Sequence, residues 1–200
     1  MPKLFDFDEV PCELKGEAEA LIVAALAQHK AAAVTKPLMI HMCGIPGSGK
    51  TTYATKFLQD HNYFSLVQFD TIMESLAGYQ KEREEHGIEQ AFSRWELPAR
   101  AIGYHLLQAL VEAKRNVFFD HSATNRKHID LISAVKAEGY LVEMHFIECS
   151  VAEATRRVKE RETKLQRHTP LGLIGERNQL LKELLPQYEL LVDKFIRTPS

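Results

Sequence analysis

Two hundred residues, 45% hydrophobic and 26% charged, with net charge −2 and mean hydropathy −0.24, suit one globular domain with a real core and exclude a disordered chain. The near-neutral balance supplies no global field for long nucleic acid or anionic lipid. The longest apolar runs fall short of the ~20 residues that a spanning helix needs. The acidic start "MPKLFDFDEV" lacks a signal peptide's apolar stretch, so a cytoplasmic, membrane-free chain is expected.

In chain order, "GEAEALIVAALAQHKAAAV" from Gly16 reads as a packed helix within a lead-in over residues 1–36. The first strand is "PLMIHMCG", bounded by Pro37 and Gly44; a glycine-rich turn and a helix from Lys50 to Asp60 follow. "YFSLVQFD" reads as a second strand ending on Asp70, and "TIMESLAGYQKEREEHG" as one helix. The segment from Ile88 is largely helical, with Pro98 as a break or turn. "VFFD", ending on Asp120, is a third strand; the loop "HSATN" leads to a helix closed by Gly139. "YLVEMHFIEC" is the fourth strand, and Ser150 with Glu153 forms a capping box for "VAEATRRVKERE". A basic stretch reaches Pro170, and a final helix breaks at Pro186. No fifth strand is evident after "LLVDKF", so a short sheet edge is expected. The alternation predicts an α/β fold with a central parallel sheet covered by helices on both faces, and with the glycine-rich turn after the first strand it reads as a P-loop NTPase three-layer sandwich with a helical lid. It is read as a single domain over 1–200, with an arginine-rich lid at about 151–170. Cys12, Cys43 and Cys149 form no C-x-x-C, and the nine histidines show no ligand spacing and are expected mostly at the surface.

Chemistry concentrates at the strand ends. Gly44, Gly49, Lys50 and Thr51 satisfy G-x-x-x-x-G-K-[ST]. Its glycines turn backbone N–H groups inward, Lys50 reaches β- and γ-phosphates, and Thr51 offers a hydroxyl to Mg²⁺. The expected nucleotide-binding set is Gly44, Pro46, Gly47, Ser48, Gly49, Lys50, Thr51 and Thr52. No N-K-x-D reads guanine, and no L-S-G-G-Q marks a transporter ATPase. A small phosphotransferase fits best, because phosphoryl transfer needs positioning, charge neutralisation and a base. Asp70 suits that base or the N-cap of the following helix. Asp120 suits an acid ordering the Mg²⁺ water shell, a substrate-hydroxyl partner, or a solvated loop start. Arg156, Arg157, Lys159, Arg161, Lys164 and Arg167 suit a mobile cationic flap or a solvated helix face. Arg94, Trp95, Glu96 and Arg100 suit an acceptor pocket, with Trp95 equally suited to the core.

These residues resemble the zeta-toxin family of P-loop kinases, grouped with polynucleotide-kinase-like proteins of the AAA type. The likeness spans nearly the whole chain, through "PLMIHMCGIPGSGKTT", "VQFDT", "NVFFDHSATNRKHIDLISAVKAEGY", "KERETKLQRHTP" and "LLPQYELL". The resemblance implies ATP- and Mg²⁺-dependent phosphorylation of a hydroxyl, with UDP-N-acetylglucosamine, attacked at its sugar 3′-hydroxyl, as the best known acceptor. It also implies an antitoxin-like protein partner that blocks the ATP site. Matched by position, the general base falls on Asp70, the strand-three acid on Asp120 and the phosphate arginines on Arg161 and Arg167. Two features depart from the family: "FFDHSATN" lies closer to the nucleic-acid kinases, yet Met73 stands where those often carry arginine. Two alternatives stay open, a polynucleotide or nucleoside kinase and an ATP-binding regulatory module without acceptor turnover.

Overall fold

The computed structural model describes residues 3–28, 35–165 and 168–200. Five parallel strands form one sheet in the order β2-β3-β1-β4-β5: β1 Leu38–Cys43, β2 Ser65–Gln68, β3 Val117–Asp120, β4 Leu141–Glu148 and β5 Lys194–Pro199. Eight α-helices occur among the described residues: α1 Lys15–Gln28, α2 Lys50–Asp60, α3 Phe69–Ser75, α4 Ala77–His86, α5 Ile88–Glu112, α6 His128–Ala137, α7 Val151–Leu165 and α8 Gly172–Leu191. None is long and apolar enough to cross a membrane.

Strand residues alternate between two cores because successive side chains leave opposite faces of a strand. Met39, Cys43, Val117 and Phe119 join the larger core with α5, α6 and α8, whereas Ile40, Met42 and Phe118 join a smaller one with Ala54 and Phe64. Apolar residues on both faces of the inner strands are what a parallel sheet covered on both sides requires.

Several boundaries differ from those expected. The final strand exists: Glu143 to Glu148 pair with Lys194 to Pro199, and Asp193 accepts a bond from the Val142 amide at 2.8 Å. Its half-exposed "KFIRTP" has the charge and proline of an edge strand, which hides it from a search for apolar runs. β2 stops at Gln68, so Asp70 lies in the first turn of α3 and is neither a strand end nor the N-cap, which is Gln68. The single helix expected after Asp70 is two, because buried Leu76 is extended (ψ 126°). Conversely, α5 runs through Pro98 and α8 through Pro186. Downstream of Pro98, Ile102, Leu106, Leu107, Leu110 and Val111 are all buried, and that packing outweighs the lost backbone bond. The Ser150 hydroxyl accepts from the Glu153 amide at 3.2 Å, but the Glu153 carboxylate turns to Arg156 and Arg157, leaving half a capping box. The described N-terminal segment is not a free surface: Phe5, Phe7, Val10 and Leu14 are buried, with Phe7 edge-on to His105 at 4.8 Å.

Candidate active site

A cavity of about 540 Å³ opens beyond the C-terminal ends of the strands, where parallel sheets bind ligands. Its floor is the turn between β1 and α2. Gly44, Gly47 and Gly49 have φ of +147°, +82° and +98°, values open to residues without a Cβ. Pro46, Gly47, Gly49, Lys50, Thr51 and Thr52 line the cavity, while Gly44 and buried Ser48 stand behind it. The Lys50 amine folds back to donate to the Gly44 and Ile45 carbonyls at 2.8 and 3.0 Å. Burial lowers its pKa, and Asp120 is the strongest opposing charge. An ammonium held on carbonyls inside an inward-facing amide turn is a ready seat for phosphate oxygens.

Two acids enter from neighbouring strands. Asp120 ends β3 and accepts from the Gln68 amide at 2.5 Å; the same amide lies 3.4 Å from the Thr51 hydroxyl. Thr71 donates to the Gln68 carbonyl oxygen. Gln68 thus ties together a hydroxyl and a carboxylate, hard oxygen ligands of the type that suits Mg²⁺. Asp70 lines the cavity one turn further along. The loop after β3 is fixed to the floor, since Ser122 accepts the Gly44 amide at 3.2 Å and Tyr188 donates to the Ala123 carbonyl at 2.9 Å.

The roof is α7. A Cβ on Gly47 would sit 2.4 Å from the Ala154 carbonyl oxygen, so this helix rests directly on the glycine turn. Arg157 reaches the Ser48 carbonyl at 3.5 Å while Glu153 holds its other edge at 2.7 Å. Arg161 lines the cavity and donates to Thr169 at 2.6 Å. Arg167 lies outside the described residues. Arg156 is turned outward, bridging Glu153 and Glu160.

The far wall comes from α5 and α8. Glu96 accepts from Arg100 at 2.6 Å and lies 3.7 Å from Arg177. Arg94 does not join them: its side chain is 67% exposed and pairs with Glu82 at 2.9 Å. Trp95 packs against α4, where a Cβ on Gly78 would meet its ring at 2.1 Å, so it serves the core. Gln68 and Arg177 escape the sequence reading. Gln68 lies in "VQFDT" with no role assigned to it and Arg177 lies in no motif; the pairing of Gln68 with Asp120 across β2 and β3 places the first.

Below the cavity the histidines depart from the surface placement expected. His41, His121, His128 and His145 are buried, and the first three gather with potential ligand atoms within 4.8 Å. Burial pushes His41 down to about 3 and His121 and His128 well below 6.5, so all three are neutral at pH 7. The Ala123 amide donates to His121 Nδ1 at 3.2 Å, which assigns that neutral ring's proton to Nε2.

Comparison with known proteins fits this geometry. The family model for the AAA domain matches residues 39–174. Among solved structures, the PezAT chromosomal toxin–antitoxin system of Streptococcus pneumoniae superposes with TM-score 0.71 at 14% identity, covering 99% of this chain and 80% of that one. The AvrRxo1-ORF1:-ORF2 complex with ATP gives 0.66 at 15% identity, covering 100% and 74%. At such identities the likeness is one of fold, the P-loop kinase fold that the sequence resemblance implies. No curated protein matches by sequence.

Proposed function

The chain belongs to the AAA domain family, and from that premise we propose that it is an ATP-dependent kinase transferring a γ-phosphate to a hydroxyl of a small acceptor. The observation that carries the proposal is that the glycine turn, Asp70, Asp120, Arg157 and Arg161 all line one cavity with space beyond the turn. ATP is the phosphate donor in this reading, supported by the turn's amides and Lys50 and by the neighbour crystallised with ATP. Thr51 and Asp120 would hold Mg²⁺, with Gln68 orienting both side chains. When bound, the ion neutralises phosphate charge.

Lys50 seats the β- and γ-phosphates, and Arg157 and Arg161 meet the charge on the transferring group from above. Asp70 accepts the proton of the attacking hydroxyl. A nucleotide sugar such as UDP-N-acetylglucosamine is the acceptor we favour, on the sequence resemblance and the arginine-bearing far wall. An antitoxin-like protein partner is part of the same proposal, motivated by the PezAT likeness.

The test is phosphate transfer from ATP-Mg²⁺, read by mass spectrometry, to UDP-N-acetylglucosamine, other nucleotide sugars, nucleosides and a 5′-hydroxyl oligonucleotide. An 80-dalton gain on a nucleotide sugar, absent with Lys50→Ala and Asp70→Ala, supports the proposal. A gain only on the nucleoside or oligonucleotide moves the acceptor class, and no gain with ATP bound removes the kinase reading.

A further inference from the structure

Beyond the glycine turn the cavity continues into a side chamber of about 240 Å³ between α5, α8 and the loop after β3. Arg100, His121, Leu173 and Arg177 line both spaces, so the chamber is an extension of the reaction cavity. Its walls are dominated by donors. Arg100 and Arg177 come from different helices and converge on Glu96, and all three side chains are only 22–27% exposed. His121 joins the lining as a neutral ring that accepts the Ala123 amide on Nδ1. Thr124 and Asn125 complete the opposite wall, and the one carboxylate on the lining, Glu176, is at the exposed surface.

Two guanidiniums sharing one carboxylate leave Glu96 to satisfy both, and their mutual repulsion persists. Burial is the largest influence lowering the Arg177 pKa and Arg100 the next, with Glu96 and Asp70 opposing. A pair of half-buried like charges beside an open chamber is relieved by an anion bridging them. We infer that the chamber docks an anionic group of the acceptor, a phosphate or carboxylate, on Arg100 and Arg177, leaving a hydroxyl to face Asp70. The inference rests on the kinase reading for its assignment to the acceptor, but the chamber's preference for anions does not depend on turnover.

The experiment is isothermal titration of the full chain with the glycine turn saturated by a non-hydrolysable ATP analogue and Mg²⁺. The probes are matched pairs, UMP against uridine and gluconate against glucose. The expected result is roughly tenfold or tighter binding of at least one anion over its neutral partner. The preferred pair tells phosphate from carboxylate. Arg177→Gln should erase the preference and Arg177→Lys restore part of it, with unchanged melting temperature and ATP-analogue affinity. Glu96→Gln should tighten anion binding, because both guanidiniums then turn to the ligand; a merely structural Glu96 predicts loss instead. Equal binding of charged and neutral probes, no binding of either anion, or a preference that survives Arg177→Gln in a folded protein overturns the inference. Anion preference without phosphate transfer keeps the chamber and sinks the kinase reading. Transfer without anion preference does the reverse.

Discussion

The two ends of the cavity are made in different ways. The nucleotide end is one continuous stretch, Gly44 to Thr52, whose polar groups are largely backbone N–H groups held by three positive-φ glycines. The opposite end, where we propose that the acceptor sits, is assembled from side chains far apart in sequence, among them Asp70, Glu96, Arg100 and Arg177, set in place by helix packing. A backbone site tolerates changes of side chain but not of conformation. A side-chain site has the opposite sensitivities.

Asp70→Ala should give the largest and most one-sided effect, about a 10²–10⁴-fold loss of transfer with nucleotide affinity intact. Single-turnover kinetics alongside nucleotide titration measures both, and equal loss in the two assays would erase the distinction between the ends. Gly47→Ala and Gly103→Ala form a matched pair for the same purpose. The first forces a Cβ onto the Ala154 carbonyl, and the second onto the Phe69 ring at 2.4 Å, next to Asp70. Each should cost roughly 1–3 kcal/mol in chemical denaturation. Gly47→Ala should weaken ATP binding, whereas Gly103→Ala should slow transfer and spare binding.

A smaller effect tests the neutral histidines under the acceptor end. His41 has a pKa of about 3 in the fold against 6.5 as its ordinary value, so below pH 6.5 the unfolded chain binds more protons. The His41 contribution is therefore complete above 6.5 and is lost as pH drops toward 3, by about 1.4 kcal/mol per pH unit at most. His41→Phe should flatten the melting-temperature profile between pH 6.5 and 5 by about one proton's worth; an unchanged slope would exonerate that ring. The least effect is expected from Arg156→Ala on the outer face of α7, with no resolvable change in melting temperature, since exposed ion pairs contribute little.

The same division decides what could be read in the sequence. The nucleotide end was legible: the first strand and the helix Lys50–Asp60 follow from an apolar run, a glycine motif and helical periodicity packed into about twenty residues. Asp70 and Asp120 were recognisable as acids near strand ends, but Asp70 sits a turn inside α3, since a short strand followed at once by a helix leaves no glycine or proline at the join. The break at Leu76 and the continuity of α5 through Pro98 were decided by tertiary burial, which local propensity does not report. Arg177 was invisible for the same reason: its meaning depends on Glu96, on another helix. Tertiary proximity also separated Arg94 and Trp95, adjacent to Glu96 in sequence, from the cavity that Glu96 lines.

The strand order has a consequence for how the chain reaches this state. β1 is central, yet neither of its partners is near it in sequence: Met39 pairs with Val117 and Leu38 with Leu141. Ser65 likewise waits for Val117, and Glu143 for Lys194. Among the described residues no hairpin exists to nucleate the sheet, so each pairing must close a long loop before any contact repays it. Helices such as the 25-residue α5 draw on local contacts, so sheet assembly is the step expected to limit refolding, which stopped-flow measurement checks. The glycine turn hangs from β1, so nucleotide affinity is expected to appear only as these central pairings close.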